Sequence, residues 1–279
     1  MVSDFDNVLN TVLVPLSSSD HSKRAAASAA VAMLLTQAPP NSKLSSKVLP
    51  AITPLLSSDN CLIQRNACAA LIAVAESEAE HLQAGMQQWT KALETVSAKL
   101  ASPATETDLR ITCAEVLGAV GHANPEAAQA VLNQQGVEAL ISVLDPELDA
   151  MLQEAGADSV CKLAAAPESR QQLVQQGVLP AVANLLHSHH SEVHVRALLA
   201  LGMLVGSSQD NQIKLANIEG TLSRLLVLRL QQDDEDSKHI AGGIVAAMLK
   251  NPGCKSQLTA ALRAQSRPAA ETDRSSHFL

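Results

Sequence analysis

Tyrosine is absent from this 279-residue chain, and only Trp89, Phe5 and Phe278 carry aromatic rings. A β-sandwich or barrel of this size fills its interior with aromatic and β-branched residues, so the shortage argues against one. It also removes the stacking platforms that single-strand nucleic-acid binders use. Positive charge is short too: 20 Lys and Arg stand against 28 Asp and Glu, for a net charge of −8. Without clusters that neutralise phosphates, nucleic acid is not expected as a direct partner. Long apolar runs are missing. Crossing a bilayer takes a helix of about 20 residues. A stretch such as Ala25–Leu35 falls well short of that, so no membrane span is expected. The chain has no G-x-S-x-G, P-loop, G-x-G-x-x-G or H-E-x-x-H pattern. Neither an enzyme nor a cofactor is therefore expected. The five cysteines are odd in number and form no C-x-x-C. Cys68, Cys113 and Cys161 sit inside apolar runs, where a free thiol acts as a small hydrophobe. That use fits a reducing compartment. Met1–Asn10 has no basic leader. The expected location is the cytoplasm, with the nucleus left open.

What the chain does have is self-similarity. Leucine-rich stretches end at Leu16, Leu56, Leu100, Leu144, Leu186 and Leu230. Each is followed by a short polar joint rich in Ser, Asp, Pro or Asn. Those residues stop one helix and cap the next. An alanine-rich apolar run at helical spacing then follows, as in Ala67–Ala75, Ile111–Val120, Ala155–Ala165 and Ala197–Val205. Alanine has the best helix propensity and permits close approach. A period in the low forties built only from helical patterns predicts an α-solenoid. Glycine adds a landmark: Gln134-Gln135-Gly136-Val137 recurs as Gln175-Gln176-Gly177-Val178, and Gly220 follows. Gly85 is a candidate upstream equivalent. Each glycine predicts a left-handed corner between a short helix and a longer one, so the later repeats are expected to hold three helices.

The segment Ala157–Leu186 runs Lys162-Leu163-Ala164, Leu173-Val174, Gly177-Val178-Leu179-Pro180 and Leu185-Leu186. In this it resembles an armadillo repeat, and Ala200–Leu228 does so as well, with Asn211 and Gly220 in matching places. Upstream, Leu109-Arg110-Ile111-Thr112-Cys113-Ala114 is closer to the two-helix HEAT type. The resemblance implies an all-α fold of about six armadillo/HEAT-type repeats in a right-handed superhelix over residues 1–263, with a disordered tail over 264–279. It implies a non-enzymatic adaptor or scaffold that binds another protein or a peptide segment on its concave face. Asp158, Lys162, Leu199 and Met203 are the expected contact residues. They stand where importin-α-like members carry their Trp and Asn ladder, which this chain lacks, so that specificity does not carry over. Val195–Leu258 also resembles the armadillo nucleotide-exchange factors of the major cytosolic heat-shock chaperones. This implies an alternative role as a regulator of such an ATPase.

One charge pattern recurs. Shortly after each leucine marker stands Arg24, Arg65, Arg110, Gln153, Arg196 or Lys238. Asp20, Glu106, Asp149, Glu192 and Asp234 lie one helical turn before five of these. An acid in the first turn meets the positive end of the helix dipole, and a base one turn later shares its face. Arg24, Arg65, Arg110, Arg196 and Lys238 are therefore expected to form a ladder along one edge, structural in the first instance. His187, His189, His190 and His194 cluster at a joint, but no cysteine completes a zinc set, so no metal is expected. Asp233-Asp234-Glu235-Asp236 reads as a solvated, capping turn. Trp89 reads as core.

Overall fold

A computed structural model describes residues 2–38, 44–77, 86–123, 125–230 and 234–265. Among them every regular element is helical. The chain begins with helix pairs: α1 (Val2–Leu13) with α2 (His21–Leu35), α3 (Ser45–Ile52) with α4 (Cys61–Ser77), and α5 (Met86–Ala101) with α6 (Thr107–Ala123). Triplets follow. They are α7 (Pro125–Val131), α8 (Gln134–Ile141) and α9 (Ala150–Leu163), then α10 (Pro167–Gln175), α11 (Val178–Asn184) and α12 (Ser191–Val205), then α13 (Gln209–Ala216), α14 (Thr221–Leu230) and α15 (Glu235–Leu249). Finally α16 (Pro252–Gln265) packs on α13, α14 and α15.

The long third helices and their counterparts in the pairs form one layer, in which α2, α4, α6, α9, α12 and α15 each pack on the next. The second layer runs through α3, α5, α8 and α11. One continuous apolar cluster lies between the layers, from Leu9 to Leu258. It is mostly Leu, Val and Ala, as the aromatic shortage requires. Trp89 lies fully buried within it. The tightest join is between α6 and α9. A side chain on Gly118 would meet the Ser159 backbone at 2.9 Å, and one on Gly121 would meet Leu163 at 2.1 Å. The Ser159 hydroxyl completes this contact by donating to the Ala114 carbonyl at 2.7 Å.

The joints follow from local chemistry. Asp20, Asp149 and Asp234 accept from the first backbone N–H groups of α2, α9 and α15. This satisfies orphan donors and sets a negative charge at the positive helix end. In α4, α6, α9 and α12 the fourth residue then reaches back toward the joint. Gln64 donates to the Ser58 carbonyl, Arg110 to Leu100 at 3.0 Å and Gln153 to Pro146 at 3.1 Å, while His194 sits 2.7 Å from the Ser188 carbonyl.

Two of the expected glycine corners occur as left-handed residues, Gly177 at φ 86° and Gly220 at φ 76°. Gly136 differs. It lies inside the first turn of α8, and Asn133 makes the corner by accepting from the Gly136 N–H at 2.8 Å. Glycine is needed there for space, because a side chain would meet the Val131 carbonyl at 2.1 Å. Gly85 lies outside the described residues. So does the expected tail apart from its first two residues, which belong to α16.

Candidate functional site: a groove on the inner helices

The inner layer exposes one side of each helix. Over α4, α6, α9 and α12 those sides enclose an open groove of about 360 Å³. Ile72 and Ile111 form its apolar floor, with Ala119 and Ala155. Met151 stands 66% exposed at its rim. Glu76, Glu115, Glu154 and Asp158 supply carboxylates, and Lys162 and Arg196 supply cations.

These charges are arranged unequally. Asp158 takes Lys162 at 3.0 Å and Arg196 at 3.6 Å, so one carboxylate serves two cations and ties α9 to α12. Among the described residues, Glu76, Glu115 and Glu154 form no ion pair. Burial pushes the Glu115 carboxyl above its ordinary value. Lys162 opposes that shift, Asp158 adds to it and Arg65 opposes it. Burial likewise raises the neighbouring Cys161 thiol. The four expected contact residues therefore divide. Asp158 and Lys162 line the groove. Leu199, 37% exposed, lies one turn beyond Arg196 on α12, and Met203 packs half-buried against the core.

The expected charge ladder does not form a single row. Arg24, Arg110 and Lys238 are the fourth residues of their helices, but Arg65 is a fifth and Arg196 a sixth. Each residue turns the helix by about 100°, so these two point elsewhere. Arg24 reaches the Ser58 hydroxyl at 3.5 Å. Arg110, only 8% exposed, closes its joint, and burial lowers its pKa. Lys238 pairs with Glu235 at 2.8 Å. Arg65 instead crosses to Asp108 of α6 at 2.9 Å. The true equivalents of the joint-closing residues are Gln64 and His194, which a search for bases passes over.

Nor do the joint histidines gather as a ligand set. His194 is buried on Ser188, while His187, His189 and His190 are exposed. Among the described residues no three His, Cys, Asp or Glu are placed to hold a metal ion. No helix of the described residues is long and apolar enough to cross a membrane.

The charged groove residues absent from the sequence expectation are Glu76, Glu115 and Glu154. Glu115 and Asp158 are both ninth residues of their inner helices. Aligning the helices at their caps, rather than at the leucine markers, brings that register out.

The family model for the armadillo/β-catenin-like repeat matches residues 166–205, which span α10 to α12. The whole fold is similar to solved designed proteins. One, a computationally designed armadillo repeat protein for modular peptide recognition, is 20% identical with a TM-score of 0.70, covering 86% of this chain and 99% of its own. The fold is that of an armadillo-type repeat solenoid. A second designed armadillo repeat protein, in complex with the peptide (KR)4, is also 20% identical. Its TM-score is 0.72, over 86% of this chain and 98% of its own. An engineered protein matches over 91% of this chain and 97% of its own, at 21% identity and a TM-score of 0.71. No curated protein matches the chain at a significant level.

Proposed function

We propose that this armadillo-type solenoid is a non-enzymatic adaptor that holds a segment of a partner protein along the groove over α4, α6, α9 and α12. The observation that carries the reading is the groove's composition: an apolar floor edged by carboxylates that have no cation of their own among the described residues. Such a surface gives a bound chain both area to bury and charges to satisfy. A stacked array also presents it at a fixed curvature. Support comes from the designed relatives, one made for peptide recognition and one holding (KR)4. The excess of carboxylates over cations favours a segment with positive charge. Neither the family match nor these neighbours favours the exchange-regulator alternative.

The test is photo-crosslinking in cells. A benzoylphenylalanine at Ile111 should trap a partner that the same probe at Gln88, on the outer helix α5, does not. Reversal of charge at Glu115 and Glu154 together should abolish the adduct. Equal trapping from both faces would sink the reading. The proposed working compartment is the cytoplasm, supported by five unpaired cysteines. Fractionation of cells making the full chain checks it.

A further inference from the structure

The two ends of the groove differ in sign. Over α4, α6 and the start of α9 stand Glu76, Glu115 and Glu154, none of them ion-paired among the described residues. Toward α12, Lys162 and Arg196 share the single carboxylate of Asp158, at 3.0 and 3.6 Å, leaving one positive charge in surplus. Glu192, one turn before Arg196, keeps its charge and accepts from the Ser191 hydroxyl at 3.1 Å, but it does not line the groove. Arg65 of α4 acts on Glu115 only from a distance, because its direct partner is Asp108 at 2.9 Å.

We infer that the groove reads charge order. The segment it accepts has cationic residues over Glu76, Glu115 and Glu154, followed along the stack by an anionic residue at the Lys162–Arg196 end. This rests on the peptide-holding reading above and adds a polarity to it. Like charges brought together are costly and opposite ones steer docking and fix register. A uniformly basic chain would therefore set one of its own cations against Lys162 and Arg196. It would gain at one end of the groove and lose at the other. An acid there would instead complete an alternating set, with Asp158 and the new carboxylate sharing two cations. Packed helices lie about 8–10 Å apart, and an extended chain advances about 3.3 Å per residue. The step from α6 to α12 thus spans about six residues of extended chain.

The experiment uses the full chain and three fluorescein-labelled octapeptides, read by anisotropy at low salt. All begin with four lysines and two serines. They end in two glutamates, two serines or two lysines. The glutamate peptide should bind about fivefold tighter than the serine peptide, and the lysine peptide weaker than both. Lys162→Gln with Arg196→Gln should remove the glutamate peptide's advantage over the serine peptide. Glu76→Gln with Glu154→Gln should weaken all three, and circular dichroism confirms that each variant is folded. If the glutamate peptide binds no tighter than the serine one, and both remain sensitive to Glu76→Gln with Glu154→Gln, charge order is overturned and the groove reading stands. If no peptide binds, or none responds to that pair of substitutions, the groove reading falls and charge order falls with it.

Discussion

The helix pairs at the start of the chain and the triplets that follow build the same inner layer in different ways. In the pairs, the outer helix runs straight into its joint. Helices α1 and α3 tighten there into 3-10 turns that carry Pro15 and Pro54, where a fixed φ and a missing N–H cost nothing. The triplets insert a short helix before the outer one. In the last two triplets the chain turns at Gly177 or Gly220, both left-handed. The short helix is also anchored from outside: Arg170 donates to the Ala164 carbonyl at 3.1 Å and Gln212 to Gly206 at 2.9 Å. The pairs thus rely on apolar packing and, after α1 and α3, on proline-set turns, with Gln64 and Arg110 closing the second and third joints. The triplets depend on particular backbone corners and on side chains that close them. The groove lies where the two constructions meet, with α4 and α6 on one side and α9 and α12 on the other.

That contrast can be broken experimentally. Trp89 is fully buried in the outer layer of the pairs. Trp89→Ala should have the largest effect, about 3–5 kcal/mol, because it opens a void there. Hydrogen exchange should show protection lost first in α3–α6 and kept in α12–α15. Uniform loss would mean that the two regions unfold as one.

Gly177→Ala should invert the pattern, loosening α10–α12, because alanine resists the left-handed conformation found there. The expected cost is roughly 1–2 kcal/mol. Gly243 lies inside α15 with open space around it. Gly243→Ala should instead stabilise, by about 0.5–1 kcal/mol. Denaturant midpoints separate the two.

The next effect is a pH dependence confined to the triplets. His194 closes its joint on Ser188, and Arg224 lies 3.3 Å from the same ring nitrogen. Burial lowers the His194 pKa. The Ser188 carbonyl and Asp234 oppose the shift, while Arg224 and His187 reinforce it. The folded chain therefore holds the proton less readily than the unfolded one. Stability should be full above the ordinary histidine value of about 6.5 and should fall as pH drops through the lower folded value. His194→Gln, which supplies the donor that Gln64 and Gln153 supply at their joints, should flatten the melting temperature between pH 7 and 5. An unchanged slope would remove His194 as the cause.

The smallest effect is expected within the pairs. Asp108→Asn breaks an exposed ion pair with Arg65. Such a pair is worth roughly 0.2–1 kcal/mol, and its loss should become undetectable at high salt. Denaturant melts at low and high salt check this.

Much of this architecture is legible in the residues themselves. The leucine markers, the Asp and Asn caps and Gly177 and Gly220 are local signals, since a cap or a left-handed corner acts within a few residues of its own position. Gly136 shows the limit. It repeats the Gln-Gln-Gly-Val string of Gly177, yet it serves a close backbone approach because Asn133 takes over the corner. The charge ladder shows another. Spacing counted from leucines joined Arg110, which closes a joint, to Arg65 and Arg196, which cross to neighbouring helices.

The sequence by itself determined the all-helical repeat, its aliphatic interior and most of its turns, because propensity, capping and apolar period are written in short stretches of chain. Only the stacking of distant helices decided which charges meet. Residues one repeat apart share a face through the rotation and rise of one helix against the next. One residue of phase moves a side chain by about 100°, from the joint into the groove. The unequal groove, with three carboxylates unpaired among the described residues at one end and two cations on one acid at the other, belongs to that packing alone.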